Sequence, residues 1–191
     1  MVVYQDAWSE MALISIASSG QATDTEFAAF TETIDIDRGD KDIDAVVNVK
    51  GGRIVKKIPE DMTTVTFEAY PIDIGVTSGL SQQFNRTYDV AQPLSSTNTF
   101  YRDKMRVAIL WTDDITATSG AGAVASGSQA YRFTAKNGYI TSSKPSFTDG
   151  VLKFTFQFKF PPFIKTGTGN ITEESTDSSA AITALGTYTA T

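Results

Sequence analysis

Apolar and polar residues alternate with a period of two over several stretches of the chain. From Thr64 to Tyr70, Val65, Phe67 and Ala69 share one face, and Thr64, Thr66, Glu68 and Tyr70 the other. That spacing predicts a half-buried strand, ended by Pro71, which cannot donate to a ladder. Lys104 to Thr112 repeats the pattern: Met105, Val107, Ile109 and Trp111 lie opposite Lys104, Arg106, Ala108, Leu110 and Thr112. From Val151 to Phe160, Phe154, Phe156, Phe158 and Phe160 line one face, with Lys153, Thr155, Gln157 and Lys159 on the other. Four aromatic side chains in one row demand cover, because each brings more than about 150 Å² worth about 25 cal/mol per Å². The stripe reads as core, with a subunit interface through Phe154, Phe156 and Phe158 as the sharper alternative.

Turn residues mark off the remaining elements. Gly51-Gly52 separates the runs Ala45–Lys50 and Arg53–Ile58, which predicts a hairpin, and Pro59-Glu60-Asp61 turns the chain again. Further strands are predicted at Met11–Ala17 and Glu32–Asp37. In the last third, Asn137-Gly138 predicts a hairpin joining Tyr131–Lys136 to Tyr139–Ser143, and Thr148-Asp149-Gly150 leads into the phenylalanine strand. Two places allow a short helix. Thr23 to Glu26 has capping-box spacing, though a loop fits equally, and Thr77 or Ser78 can cap a turn carrying Leu80, Gln83 and Phe84. Residues 85–103 are a polar, turn-rich excursion. Residues 115–130, built mainly of Ala, Ser, Gly and Thr, predict a mobile loop. From Thr166 onward Gly, Thr and Ser dominate, which predicts an extended tail, poorly ordered alone; deletion of residues 173–191 is expected to spare the fold but impair stacking. Within it Ala180, Ala181, Ile182 and Leu185 form an apolar patch, and Ile182 and Leu185 join the interface candidates. The whole is expected to be one domain of 191 residues.

Composition narrows the chemistry. There is no cysteine and no histidine, so disulfides, thiolate metal sites, Ser-His-Asp triads and Cys-His dyads are excluded. Asp113 and Asp114 are neighbours whose side chains point apart on a strand, so they read as a strand-ending turn and not an acid/base dyad. Gly120, Gly122 and Gly127 miss the phosphate-loop spacing. The acidic run from Asp35 to Asp44 puts carboxylates at alternate positions around Gly39, but its register departs from a calcium loop. It reads as a solvated acidic strand and turn, with Asp35, Asp37, Asp40 and Asp42 as the ligands were a cation to bind. No catalytic or cofactor-binding residues emerge, and no enzyme is expected. The triplets Asn85-Arg86-Thr87 and Asn170-Ile171-Thr172 match glycosylation acceptors, of a kind common by chance. No run of about 18 apolar residues exists to cross a membrane, and the patch at Met11–Ala17 follows Asp6 and Glu10 where a secretory signal would have a basic region. The formal net charge is −6, ill suited to gripping nucleic acid.

The hairpin closing on Lys56-Lys57-Ile58-Pro59 with Met62 to Pro71, the segment Arg106-Val107-Ala108-Ile109-Leu110-Trp111-Thr112-Asp113-Asp114, and Asn137-Gly138-Tyr139-Ile140 running on to Pro145 and Phe158 together resemble major tail tube proteins of tailed viruses, bacterial or archaeal. The likeness covers roughly residues 45 to 163. It implies an all-β fold with one or two short helices, an antiparallel β-sandwich or small barrel of the tail-tube type. It also implies a homo-oligomer of hexameric rings stacked into the virion's tail tube, assembled in the host cytoplasm beside tape-measure or terminator proteins. Viral DNA would pass through the lumen without specific binding. The alternatives are a secreted or cell-surface β-sandwich module that binds a carbohydrate or protein ligand, and another virion part such as a head–tail connector.

Overall fold

The computed structural model describes residues 11–18, 25–27, 33–40, 43–47, 49–57, 60–69, 104–114, 124, 128–176, 185–186 and 188–191. Ten strands occur among them and no helix: β1 (Met11–Ser18), β2 (Thr25–Phe27), β3 (Ile34–Asp37), β4 (Ile43–Val47), β5 (Arg53–Lys57), β6 (Thr63–Ala69), β7 (Met105–Thr112), β8 (Ala130–Thr148), β9 (Val151–Phe160) and β10 (Ile171–Thr176). All pairings are antiparallel. One curled sheet, an open half-barrel, runs β2-β1-β7-β8-β9-β6-β3 with β10 alongside β8, and β4-β5 form a separate pair. The expected all-β antiparallel fold is therefore present, as a single curled sheet. The helix expected around residues 77–84 lies outside the described residues. At the other candidate helix, Thr25–Phe27 pairs with β1 as a strand.

The alternation read from sequence sets the core. Val65 and Phe67 on β6 lie opposite Phe158 and Phe156 on β9. The Phe67 ring stands 5.6 Å from Phe156 and 5.8 Å from Phe158, stacked on the latter. Ile14, Ile16, Val107, Ile109, Phe133 and Ala135 complete the same cluster. β7 departs from simple alternation, since both its faces are covered. Leu110 packs in a second cluster with Leu13, Val124 and Ala130, and Arg106 is roofed by residues near the end of the sequence. A central strand with cover on two sides loses the polar-out face that period-two patterning assumes.

β8 corrects the largest sequence expectation. Asn137-Gly138 is not a hairpin turn; the chain passes straight through it as one strand of 19 residues. The first part of β8 pairs with β7 and, on its other edge, with β10. The second part pairs with β9. Asn137 has φ 59°, and between Met105↔Gly138 and Val107↔Ala135 three steps on β8 oppose two on β7. This is a β-bulge, where one extra residue is absorbed in a left-handed conformation. The same dihedral preference that makes Asn-Gly a turn signal serves a bend here. A second shift lies between Ile140 and Ser142 against β9. The bends let one strand belong to both halves of the curl.

The segment expected as an extended tail from Thr166 is also corrected. Residues 161–170 form an ordered arch: Ile164 N–H donates to Thr168 O and Gly167 N–H to Ile164 O, both at 2.9 Å. β10 then follows, and residues 185–186 and 188–191 seat on β7 and β8. Deletion of residues 173–191 would thus remove most of β10 from the sheet. Of the loop 115–130, Val124 is buried and Gln129 bonds Asp113, while most of the rest lies outside the described residues. Thr148↔Val151 closes the β8–β9 hairpin over Asp149 (φ 54°) and Gly150 (φ 79°), as the sequence predicts. Positive φ at both central residues is the type I′ signature.

Candidate assembly surface

Three protrusions carry apolar side chains into solvent. The first is the β4–β5 hairpin, predicted from Gly51-Gly52 and closed by a turn in which Gly51 has φ 79°. Its strands pair only with each other among the described residues. Val46, Val47 and Val49 are 52%, 63% and 107% exposed. An isolated two-stranded hairpin is marginal in water and gains stability by packing on something else. The second is the β8–β9 tip, with Phe147 71% exposed and Val151 beside it. The third is the 161–170 arch, where Phe163 is exposed. Sequence alone did not single out Phe147 or Phe163, since an apolar residue beside a turn has no partner pattern to betray it.

Phe156 and Phe158 are fully buried by their own chain, so their packing follows the core reading of the stripe. Phe154 lies opposite Ala69 and Pro145 in register; its side chain, like Ile182, lies outside what is described. Leu185 offers its carbonyl to Arg106 Nη1 at 3.2 Å. Of the acidic run, Asp35 and Asp37 project from β3 into solvent while Ile34 and Ile36 pack inward. The Asp37 carboxylate accepts the Gly39 N–H at 3.0 Å, an Asx-type turn contact. Asp42 lies outside the described residues. Among the described residues no cluster of three metal-ligating side chains forms.

Charged pairs tie the curl together. Arg38, just after the edge strand β3, meets Glu173 on β10 at 3.0 Å, spanning the two halves. Arg132, buried on β8, pairs with Glu174. Lys153 and Glu68 link β9 and β6 at 3.1 Å. Burial chiefly, then the nearby Glu173, raise the Tyr131 phenol.

Asn137 at the bulge is bonded through both ends of its side-chain amide. Its Nδ2 donates to Asn170 Oδ1 at 2.7 Å and to Thr191 Oγ1 at 3.1 Å. Its Oδ1 accepts from Tyr188 O–H at 3.1 Å and from Thr191 N–H at 3.0 Å. Arg106 donates to the Leu185 and Gly186 carbonyls and lies 5.5 Å from the Tyr188 ring centre. Lys104 Nζ donates to Thr191 O. Residues 185–186 and 188–191 thus form a strap over the β7–β8 bulge.

Burial pushes the Tyr188 phenol up to about 12, against opposing pulls from the Asn137 N–H and Arg106. Because the folded value exceeds the unfolded one, the stabilisation is complete below pH ~10 and is lost as pH rises toward ~12, roughly 3 kcal/mol in all. Denaturant titrations from pH 9 to 12 should show this fall, and Tyr188→Phe should flatten it. An equally steep fall in the variant would assign it to other groups.

No protein-family model matches the chain, and no curated protein matches it in sequence. Solved structures do match. A chain of the sheath/tube terminator of an extracellular contractile injection system (PVC), in its extended state, is similar over 91% of this chain and 99% of its own, at 12% identity and a TM-score of 0.52. Looser likenesses, both at a TM-score of 0.48, are to chains in the PVC sheath–tube complex (10% identity, 85% of this chain and 88% of the other) and in the anti-feeding prophage baseplate (11% identity, 92% and 99%). The chain shares its fold with a component of the sheath/tube terminator of a contractile injection system.

Proposed function

We propose that this chain is a structural subunit of a tail-type tube. Its copies close into rings, hexameric as in the tail-tube proteins it resembles, and the rings stack into a hollow conduit. The observation that carries this is the β4–β5 hairpin, which displays valines on a two-stranded element that pairs with no other strand among the described residues. A neighbouring copy supplies the missing cover. Charge supports a head-to-tail contact: Lys50, Arg53, Lys56 and Lys57 cluster on the hairpin in a chain whose net charge is −6, so the hairpin is attracted to other parts of the same protein. Heterologous contacts of this kind close rings or extend filaments according to their rotation. The shared fold with a terminator chain fits the same role, and such a subunit performs no catalysis. In a viral tail the conduit carries DNA, and an acidic lumen keeps phosphates from adhering. The alternative of a lone surface-binding module would leave the hairpin uncovered.

Electron microscopy of the purified chain tests this, with stacked rings or hollow tubes as the expected result. Val47→Asp with Val49→Asp should leave monomer stability within about 0.5 kcal/mol, as for other surface changes, yet abolish polymerisation. A wild-type chain that stays monomeric at every concentration would overturn the assembly; tubes formed normally by the double variant would overturn the hairpin's part in it.

A further inference from the structure

We propose that Asn137-Gly138 is a latent deamidation site, held unreacted by the strap through its Tyr188 and Thr191. The inference is independent of tube formation. Asn-Gly is the dipeptide whose side-chain amide is most open to attack by the following backbone nitrogen, because glycine has no side chain to obstruct it. It occurs once in this sequence, at 137–138. In the reaction the Gly138 nitrogen bonds to Asn137 Cγ, the Cγ–Nδ2 bond breaks, and Nδ2 leaves as ammonia with the Gly138 proton. The five-membered imide then takes up water. Opening at Cγ gives aspartate; opening at the backbone carbonyl gives isoaspartate.

The fold blocks the first step. Cγ must rotate toward the Gly138 nitrogen, yet both atoms on it are tethered, Oδ1 by Tyr188 and Thr191 and Nδ2 by Asn170 and Thr191. The side chain is nearly inaccessible to the water the second step requires. Three of these four contacts come from the strap. Conversion would in turn undo the strap. An oxygen in place of Nδ2 would face the Asn170 Oδ1 acceptor, and Asn170 cannot turn its amide without breaking the bond from its Nδ2 to Pro161 O at 2.8 Å. Isoaspartate would add a backbone carbon to β8 at the bulge. The modification is therefore one-way: each opening of the strap risks a product that favours the open form.

The test incubates the intact chain at pH 8, native and in urea, and measures conversion at Asn137 by peptide mapping with isoaspartate detection. The native chain should react at least about tenfold more slowly than the unfolded one, since reaction requires opening. Tyr188→Ala should recover much of the difference, and Tyr188→Phe, which keeps the ring but loses both hydroxyl contacts, should react several-fold faster than native. Should Tyr188→Ala fail to fold, Tyr188→Phe decides. Native and unfolded chains reacting alike, or a folded Tyr188→Phe reacting as slowly as native, would overturn the proposal.

Discussion

Phe156→Asp is expected to give no soluble folded protein, while Gln157→Asp, one residue on, keeps the fold. Phe156 is wholly buried, packed on Phe67 and opposite it in register. Removing a buried phenylalanine costs about 3–5 kcal/mol, and an unpaired carboxylate in an apolar cluster adds several more. The sum matches the whole stability of an ordinary domain, about 5–15 kcal/mol. Gln157 points to the other face, where its side chain meets the exposed Thr141 hydroxyl and its strand neighbours include Lys159. A carboxylate there stays hydrated, and the expected change is below about 1 kcal/mol. Soluble yield and thermal unfolding of the two variants make the comparison. Equal behaviour would mean that β9 does not present these faces.

Gly138→Ala is expected to be nearly as damaging, although it adds one methyl group. A Cβ at this position would stand 2.2 Å from Phe160 Cδ1, 2.5 Å from its Cε1 and 2.6 Å from the Lys159 carbonyl oxygen. Phe160 is fully buried, so its ring has no space to retreat into, and the carbonyl is fixed in the β8–β9 ladder. Overpacking of this sort costs about 1–3 kcal/mol and sometimes more; the three contacts together put it at the upper end. Gly51→Ala is the matched control. Nothing lies within 4 Å of its Cβ, but its φ is +79°, so only the backbone preference is lost, about 1 kcal/mol. Chemical denaturation should rank Gly138→Ala well below Gly51→Ala. The reverse order would mean that Phe160 does not lie against Gly138.

These two positions also mark where the sequence could and could not be read. β6 and β9 were legible because each buries one face, and a period of two records that directly. β3 was legible for the same reason, with isoleucines in and aspartates out. β8 was misread because Asn-Gly reports a left-handed residue and not what the chain does next. Which outcome follows depends on Phe160 and β7, both distant in sequence. β10 was hidden because Ile-Thr-Glu-Glu-Ser-Thr carries one apolar residue; its place is set by ladder bonds and by carboxylates meeting Arg38 and Arg132. The strap left no periodic signal at all, since it is held by polar contacts to residues some 50 to 90 positions earlier in the chain. Of the candidate surface, the hairpin was visible through its glycines, but not that its strands pair only with each other among the described residues.

The strand order also has a consequence for biosynthesis. The middle of the curled sheet is β7, β8 and β9, which a ribosome makes late. Until then, among the described residues, β1 has only β2 to pair with, and β6 only β3. The nascent chain thus carries strand edges and half of its apolar cluster with nothing to close them, a state open to aggregation. Completion waits for residues 105–176, and the long-range pairings that follow are slow by nature. Closure of the sheet accordingly waits for its central strands, and a chain cut before β7 keeps the outer strand pairs without the core between them.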